Sequence, residues 1–213
     1  WKDIFPKKGE IHFAGALENN EDTGTLQYLA STAMEAGFST RVLDMQALDL
    51  QNGRFFDPAG ELVNRCFKLY PWEWMVDESP DGCLAEMEWL EPIWKLVMSN
   101  KAILATLYEL FPDSPYVLPC YLSRPRSGLF CKKPIFSREG HNVSVVDIRD
   151  WEEYVRIAET EGDYNTGAYV YQEYVEPTAY SGRYPVIGSW IIGGEAAGIG
   201  IRENRMEVTD NLS

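Results

Sequence analysis

Several motifs that mark common classes of enzyme are missing from this 213-residue chain. A GxxxxGK[ST] phosphate-binding loop does not occur, no GxGxxG follows a predicted strand, and there is no GxSxG sequence. These motifs place glycines where a backbone approaches a phosphate group or where a nucleophilic serine needs a sharp turn. Their absence argues against a P-loop nucleotidase, a nicotinamide-binding domain and an α/β-hydrolase.

Metal-ligating and redox patterns are also scarce. The chain has four cysteines and two histidines, and no two cysteines have the CxxC spacing that is typical of zinc sites. We therefore expect no zinc site, and we expect reduced, mostly buried thiols of a cytoplasmic protein. His12 lies in a predicted buried strand and His141 in a predicted turn, so neither is placed as the base that a catalytic cysteine needs.

Long apolar runs and a positive charge are absent as well. No segment approaches the roughly 18 apolar residues of a membrane helix, and the net charge of −14 argues against non-specific binding of nucleic acid or of an anionic membrane. With 45% hydrophobic and 24% charged residues, the composition is typical of a globular protein with one large domain or two small ones. A few clustered cations could still hold an anionic ligand.

The N-terminal part predicts a βαβ unit. An apolar run over residues 10–16 predicts a buried strand, a helix capped by Asp22 or Thr23 follows, and residues 40–43 predict a second strand. The acidic loop that contains Glu21 would lie at the carboxyl end of the first strand, where open α/β sheets bind ligands. The alternative is that this loop is only a solvated helix cap.

Further elements follow from periodicity and from breaking residues. The helix predicted to begin at Lys101 places a cation in its first turn, where the helix dipole disfavours positive charge, so this lysine should point away or meet an anion. The other expectations are an aromatic strand over 66–75, a loop over 76–85, a helix from Pro92, a helix over 150–159, a strand over 168–175 and a hairpin over 189–202 with a Gly-Gly turn.

The stretch from Phe130 to Val143 predicts a hairpin that carries Lys133 near the end of its first strand. Its turn, from Ser137 to Asn142, is polar and contains one glycine. Exposed backbone N–H groups in such a turn can cradle phosphate oxygens beside a lysine. The alternative is an ordinary surface hairpin with a basic rim.

Two lysines, a polar turn, a Gln-Glu pair at a strand end and a strand-terminal arginine suit the handling of a polyphosphate. Phosphoryl transfer depends mainly on positioning and on neutralisation of charge, and it needs no covalent nucleophile. The residues concerned are Lys101, Lys133, Gln172, Glu173 and Arg202.

Five segments in this order resemble the glutathionylspermidine synthase-like ATP-grasp family. They cover residues 68–75, 99–104, 133–143, 185–190 and 198–202. The resemblance implies an α/β (α+β) ATP-grasp fold in which two lobes clamp ATP. It also implies a pre-ATP-grasp, substrate-binding part over residues 1–98 and an incomplete nucleotide-binding part over residues 99–213.

The activity that the resemblance implies is ATP-dependent carboxylate–amine ligation. ATP phosphorylates a carboxylate, an amine attacks the acyl phosphate, and ADP and phosphate are released. The implied acid is a glutathione-like peptide or another carboxylate, and the implied amine is a polyamine or another amine. Mg²⁺ is implied as well, with ligands in a segment that would precede Trp1. The competing hypotheses are an ATP-binding or interaction module without ligase activity and an acidic scaffolding domain.

The resemblance also assigns roles to single residues. In it, Lys101 and Lys133 contact the phosphates of ATP, and the mobile loop over these phosphates is formed by Ser137, Arg138, Glu139 and Gly140. Gln172 and Glu173 lie at the adenine hinge, Arg202 stabilises the developing acyl phosphate, and Glu21 and Asp22 bind the peptide. Two departures concern the substrate and the loop: Leu69 occupies the place of a peptide-binding threonine, and Ser137–Gly140 differs from a Gly-Arg-Cys-Gly pattern.

Overall fold

The computed structural model describes residues 1–150, 153–164, 167–206 and 208. The chain divides into two compact units, Trp1–Leu96 and Val97–Ser213. Helices and strands occur in both units, with parallel and antiparallel pairing, which confirms the predicted α/β class. Among the helices of the described residues, none combines the length and the apolar character that crossing a membrane requires.

The first unit contains a parallel sheet and a small antiparallel sheet. In its described residues the parallel sheet has the strand order β2-β1-β6-β7 and the antiparallel sheet the order β3-β4-β5. The elements of this unit are β1 (Glu10–Gly15), α1 (Asn20–Glu35), β2 (Ser39–Asp44), β3 (Asp49–Gln51), β4 (Arg54–Phe56), β5 (Leu62–Val63), β6 (Arg65–Leu69), α2 (Trp72–Glu78), α3 (Pro80–Cys83) and β7 (Glu88–Leu90).

The predicted βαβ unit is confirmed, because β1 and β2 pair in parallel and α1 connects them. The helix begins earlier than predicted. Its cap is Asn19, whose Oδ1 accepts a hydrogen bond from the backbone N–H of Glu21 at 2.9 Å. Asp22 therefore lies inside the first turn and does not cap the helix. An asparagine is as good a cap as an aspartate, so composition alone does not choose between them.

The core between this sheet and α1 is closely packed. Ile11, Phe13 and Leu26 are completely buried. Gly15 lets β1 approach its neighbours closely, because a Cβ atom at this position would lie 2.9 Å from the carbonyl oxygen of Leu69 and 3.0 Å from Cδ1 of Leu26. The end of β1 therefore needs a glycine for steric reasons.

The second unit is built on an antiparallel sheet of the order β11-β10-β9-β12-β8, together with a separate two-stranded ribbon, β13-β14, in the described residues. Helix α4 packs on one face of the larger sheet, where Ala105 contacts Cys120 and Val170. The elements are α4 (Ala102–Leu110), β8 (Cys120–Tyr121), β9 (Gly128–Pro134), β10 (Ser144–Ile148), β11 (Tyr154–Glu159), β12 (Tyr169–Glu173), β13 (Tyr184–Ile192) and β14 (Glu195–Asn204).

Four sequence-based expectations are wrong. The strand predicted over 66–75 ends at Leu69, and the chain from Trp72 onwards forms α2. The helix predicted over 150–159 is strand β11, which pairs with β10; Trp151 and Glu152 lie outside the described residues. The loop predicted over 76–85 contains the end of α2 and all of α3. The helix predicted from Pro92 is a 3-10 helix over Ile93–Val97. In each case packing or pairing with a distant segment outweighs the local composition.

Candidate functional site

Lys101 lies immediately before α4 and is tied to the segment that follows β9. Its backbone N–H donates to the carbonyl of Ile135 at 2.8 Å. Its Nζ donates to Ser137, both to the backbone carbonyl and, at 2.8 Å, to Oγ. Lys101 therefore precedes the first turn of α4 and binds neutral oxygens of the polar turn.

The turn from Ser137 to Asn142 is held by hydrogen bonds to residues 160–164. The side chain of Asn142 donates to the carbonyl of Gly162 at 2.9 Å and accepts from the backbone N–H of Tyr164 at 2.7 Å. Glu139 and Gly140 have positive φ values of 53° and 72°. Glycine adopts this region without steric cost, so Gly140 suits the second of these positions.

Lys133 and Gln172 meet on one face of the sheet. Their side chains form a hydrogen bond of 2.7 Å from Lys133 Nζ to Gln172 Oε1. The strand register places Lys133 opposite Val170 and Gln172 opposite Cys131, so all four side chains share that face. Glu173 is exposed and, by strand alternation, projects from the other face. The structure therefore brings Lys101 to Ser137 and Lys133 to Gln172, and it separates Glu173 from Gln172.

Arg202 lies on the ribbon of β13 and β14, where it is exposed and pairs in register with Val186. The two faces of the ribbon differ. One carries Ile187, Ile199 and Ile201, each at least 64% exposed. The other carries Arg202 and its register partner Val186, followed along the ribbon by the paired glycines Gly188 and Gly200 and then by Trp190. No hydrogen bond or ion pair joins Arg202 to either lysine within the described residues.

A small cleft on the other face of the larger sheet contains residues that sequence reasoning missed. Its lining residues are Arg124, Lys132, Val146, Ile148, Tyr154 and Tyr171. Burial raises the pKa of Tyr171, and the nearby Arg124 acts in the opposite direction. The signal was present in the sequence, because adjacent lysines on a strand must point to opposite faces.

In the first unit, Glu21 and Asp22 lie in the first turn of α1, where carboxylates are favoured by the helix dipole. They are not among the described residues that line the nearby open cleft at the carboxyl ends of the parallel strands. That cleft, of about 400 Å³, is acidic and aromatic. Its lining residues are Ala16, Glu18, Gln46, Tyr70, Trp74, Asp77 and Glu78. The phenol of Tyr70 donates to the carboxylate of Glu78 at 2.7 Å.

Lys68 is a buried lysine beneath this cleft wall. Its Nζ donates to the carbonyl of Tyr70 at 2.6 Å and lies 4.0 Å from the ring centroid of Trp72. Burial lowers the pKa of Lys68 to about 8, although the carboxylate of Glu91 acts in the opposite direction. A buried ammonium that is held by a carbonyl and an aromatic ring is costly to keep charged.

The stability of the protein should therefore depend on pH through Lys68. The folded pKa, about 8, lies below the ordinary value of 10.5, so the penalty for burying the charge is fully present below pH 8 and is relieved as the pH rises towards 10.5. We expect the free energy of unfolding of the wild type to rise relative to that of Lys68→Met over this interval.

The measurement is urea unfolding of both proteins at several pH values. Cys66 and Tyr70 titrate in the unfolded state over the same range, but they are common to both proteins and cancel in the difference. A difference that stays constant from pH 7 to pH 10 would contradict the role of Lys68.

The described residues contain no group of three or more His, Cys, Asp or Glu side chains that could hold a metal ion. The described residues thus offer no ligand set for magnesium, and no chemical step below is assigned to magnesium.

Comparison with known proteins places these features in a family. The family model described as "Glutathionylspermidine synthase preATP-grasp" matches residues 1–213. The chain belongs to this glutathionylspermidine synthase family. The family resemblance drawn from the sequence is therefore confirmed.

Three relatives illustrate how far the similarity extends. A Haemophilus influenzae protein named as a candidate acid–amine ligase is 34% identical over 97% of this chain and 55% of its own length. Trypanothione synthetase of Crithidia fasciculata is 28% identical over 94% of this chain and 34% of its own length. The bifunctional glutathionylspermidine synthetase/amidase of Escherichia coli is 27% identical over 85% of this chain and 34% of its own length. The chain thus spans about half, or less, of the length of these relatives.

Proposed function

We propose that this chain is part of an ATP-dependent carboxylate–amine ligase that resembles glutathionylspermidine synthase. The observation that carries the proposal is the attachment of Lys101 to Ser137, because it joins the start of α4 to the turn after β9. Two segments that the resemblance assigns to phosphate binding are thereby in contact. The names of the three relatives, all ligases or synthetases of this type, support the same reaction class.

The second unit would hold the nucleotide in an ATP-grasp arrangement. Lys101 and Lys133 would neutralise phosphate charge, and the turn residues Ser137, Arg138, Glu139 and Gly140 would cover the phosphates. Gln172, fixed through its Oε1 by Lys133, and the neighbouring Glu173 would bind at the adenine hinge. When bound, ATP supplies the phosphoryl group that converts a carboxylate into an acyl phosphate, and its charge would be stabilised by Arg202.

The first unit would bind the substrates. Glu21 and Asp22 are the residues assigned to the acid, a glutathione-like peptide or another carboxylate. The amine, a polyamine or another amine, would carry positive charge. The acidic cleft with Tyr70 and Trp74 supports a cationic substrate, because carboxylates and aromatic faces both attract ammonium groups.

The proposal predicts that Lys133→Ala weakens ATP binding by about tenfold or more, because it removes a charge-assisted contact and releases Gln172. Isothermal titration of the chain with ATP measures the effect, and Lys2→Ala, an exposed lysine in the other unit, is the control. Equal ATP affinity in the wild type and Lys133→Ala would rule out the assignment of this lysine.

A second assay separates a ligase from a binding module. ADP release that requires both an added carboxylate and an added polyamine would support ligation. ATP binding without such release, in the presence of glutathione and spermidine, would argue for a nucleotide-binding module.

A further inference from the structure

Lys132 and Lys133 point to opposite faces of the sheet. The register pairs Lys132 with Ser144 and Tyr171, and it pairs Lys133 with Val170. Lys133 reaches Gln172 on the face where α4 packs. The Nζ of Lys132 lies 3.9 Å from the ring centroid of Tyr169 on the other face. The second lysine therefore has a setting of its own, which the nucleotide-binding roles leave unexplained.

The cleft beside Lys132 combines two cations with aromatic and apolar walls. Arg124 lies over the ring of Tyr154 at 5.0 Å, and its guanidinium also donates to the backbone carbonyl of Asp150 at 3.0 Å. These contacts fix the direction of the guanidinium. Val146 and Ile148, both almost completely buried, form the apolar floor. None of the described lining residues is acidic, although the whole chain has a charge of −14.

The size of the cleft limits what it can hold. Its cavity volume is about 70 Å³, room for roughly five or six water molecules and well below the range of drug-sized sites. That space limits a ligand to about a single ring with one anionic group and is too small for a nucleoside triphosphate. Aromatic walls favour a flat, apolar ring, and the two cations favour a negative charge at its edge.

We propose that this cleft, defined by Arg124, Lys132, Tyr154 and Tyr171, binds a small planar anion, an aromatic ring that bears one phosphate or carboxylate group. Lys132 and Arg124 hold the anionic group, and the tyrosine rings and the floor hold the ring. The site does not depend on the proposed ligase activity. It lies on the face of the sheet opposite to the Lys133–Gln172 pair.

The test is isothermal titration of the chain with four probes. Phenyl phosphate and benzoate carry a ring and an anion, inorganic phosphate carries only the anion, and benzyl alcohol only the ring. We expect phenyl phosphate or benzoate to bind, and whichever binds tighter identifies the anionic group. Inorganic phosphate and benzyl alcohol should bind at least about tenfold more weakly, because each makes only part of the contacts.

Variants then locate the site. Lys132→Met and Tyr154→Leu should each weaken binding of the preferred probe several-fold, while Lys133→Met, the neighbouring lysine on the opposite face, should bind it as the wild type does. Circular dichroism confirms that each variant is folded. Wild-type affinity in both Lys132→Met and Tyr154→Leu would overturn the proposal. Equal binding of phenyl phosphate and inorganic phosphate would overturn it as well, and so would the absence of binding of both ring-bearing anions at about 10 mM, where a site of millimolar affinity is mostly occupied.

The same variants separate this inference from the proposed function. Loss of ATP binding in Lys133→Met with unchanged phenyl phosphate binding would support both. If Lys133→Met failed to bind the ring-bearing anion while Lys132→Met still bound it, the proposed site in the cleft would be overturned. The proposal of a nucleotide site at Lys133 would be unaffected.

Discussion

Replacing Phe13 with alanine should lower the free energy of unfolding by about 3–5 kcal/mol, the usual cost of removing a buried phenylalanine ring. Phe13 is completely buried in β1. Its ring lies 5.4 Å from that of Trp1 and 5.6 Å from that of Phe67. Because domains are stable by only about 5–15 kcal/mol, such a loss would bring the first unit close to unfolding at room temperature.

Urea unfolding followed by tryptophan fluorescence measures this loss. The matched control is Tyr28→Ala on α1, an aromatic side chain that is 69% exposed and that should change the stability by no more than about 0.5 kcal/mol. Similar losses in the two variants would mean that Phe13 is not the centre of this core.

Replacing Arg202 with alanine should lower the rate of ADP release by about 10²–10³-fold, whereas the affinity for ATP should change little. The reason is that the role proposed for Arg202, stabilising the charge that develops on the acyl phosphate, acts mainly in the transition state. Arg202 is exposed on the ribbon face that also carries the paired glycines Gly188 and Gly200, beside its register partner Val186. The effect should appear in kcat rather than in KM.

The measurement is carboxylate- and polyamine-dependent ADP release by the protein in its active form. Arg205→Ala, an exposed arginine just beyond β14, is the control and should leave the rate unchanged. A fall in ATP affinity that accounts for the whole loss of rate would assign Arg202 to nucleotide binding.

Local patterns predicted a large part of the fold. The apolar run of β1, the helical spacing of α1 and the Gly193-Gly194 turn each depend on interactions within a few residues, and each was predicted correctly. The hairpin of β9 and β10 followed from the polar turn between two apolar runs. Within the candidate site, the unfavourable place of Lys101 at the start of a helix predicted that it would point away or meet an anion. The oxygens of Ser137 to which it donates are neutral, so its partner was not predicted.

The remaining features depend on partners that are distant in sequence. Strand β11 forms because β10 offers it an edge, which the local sequence does not reveal. Helix α2 is held by burial of Trp72 and Met75 in a core assembled from several other strands. The cleft residues Arg124 and Lys132 were missed because Arg124 reaches the cleft from a loop, through contacts with Asp150 and Tyr154 that are distant in sequence.

The doubled lysine of β9 has a consequence for how this strand tolerates insertions and deletions. A slip of one residue sends every side chain of a strand to the opposite face. For most of β9 that slip would remove Phe130 from its cluster with Val146 and Ile148, yet at positions 132 and 133 it would exchange one lysine for another. Both faces of the sheet would keep a positive charge at this point even when the remainder of the strand had been rearranged.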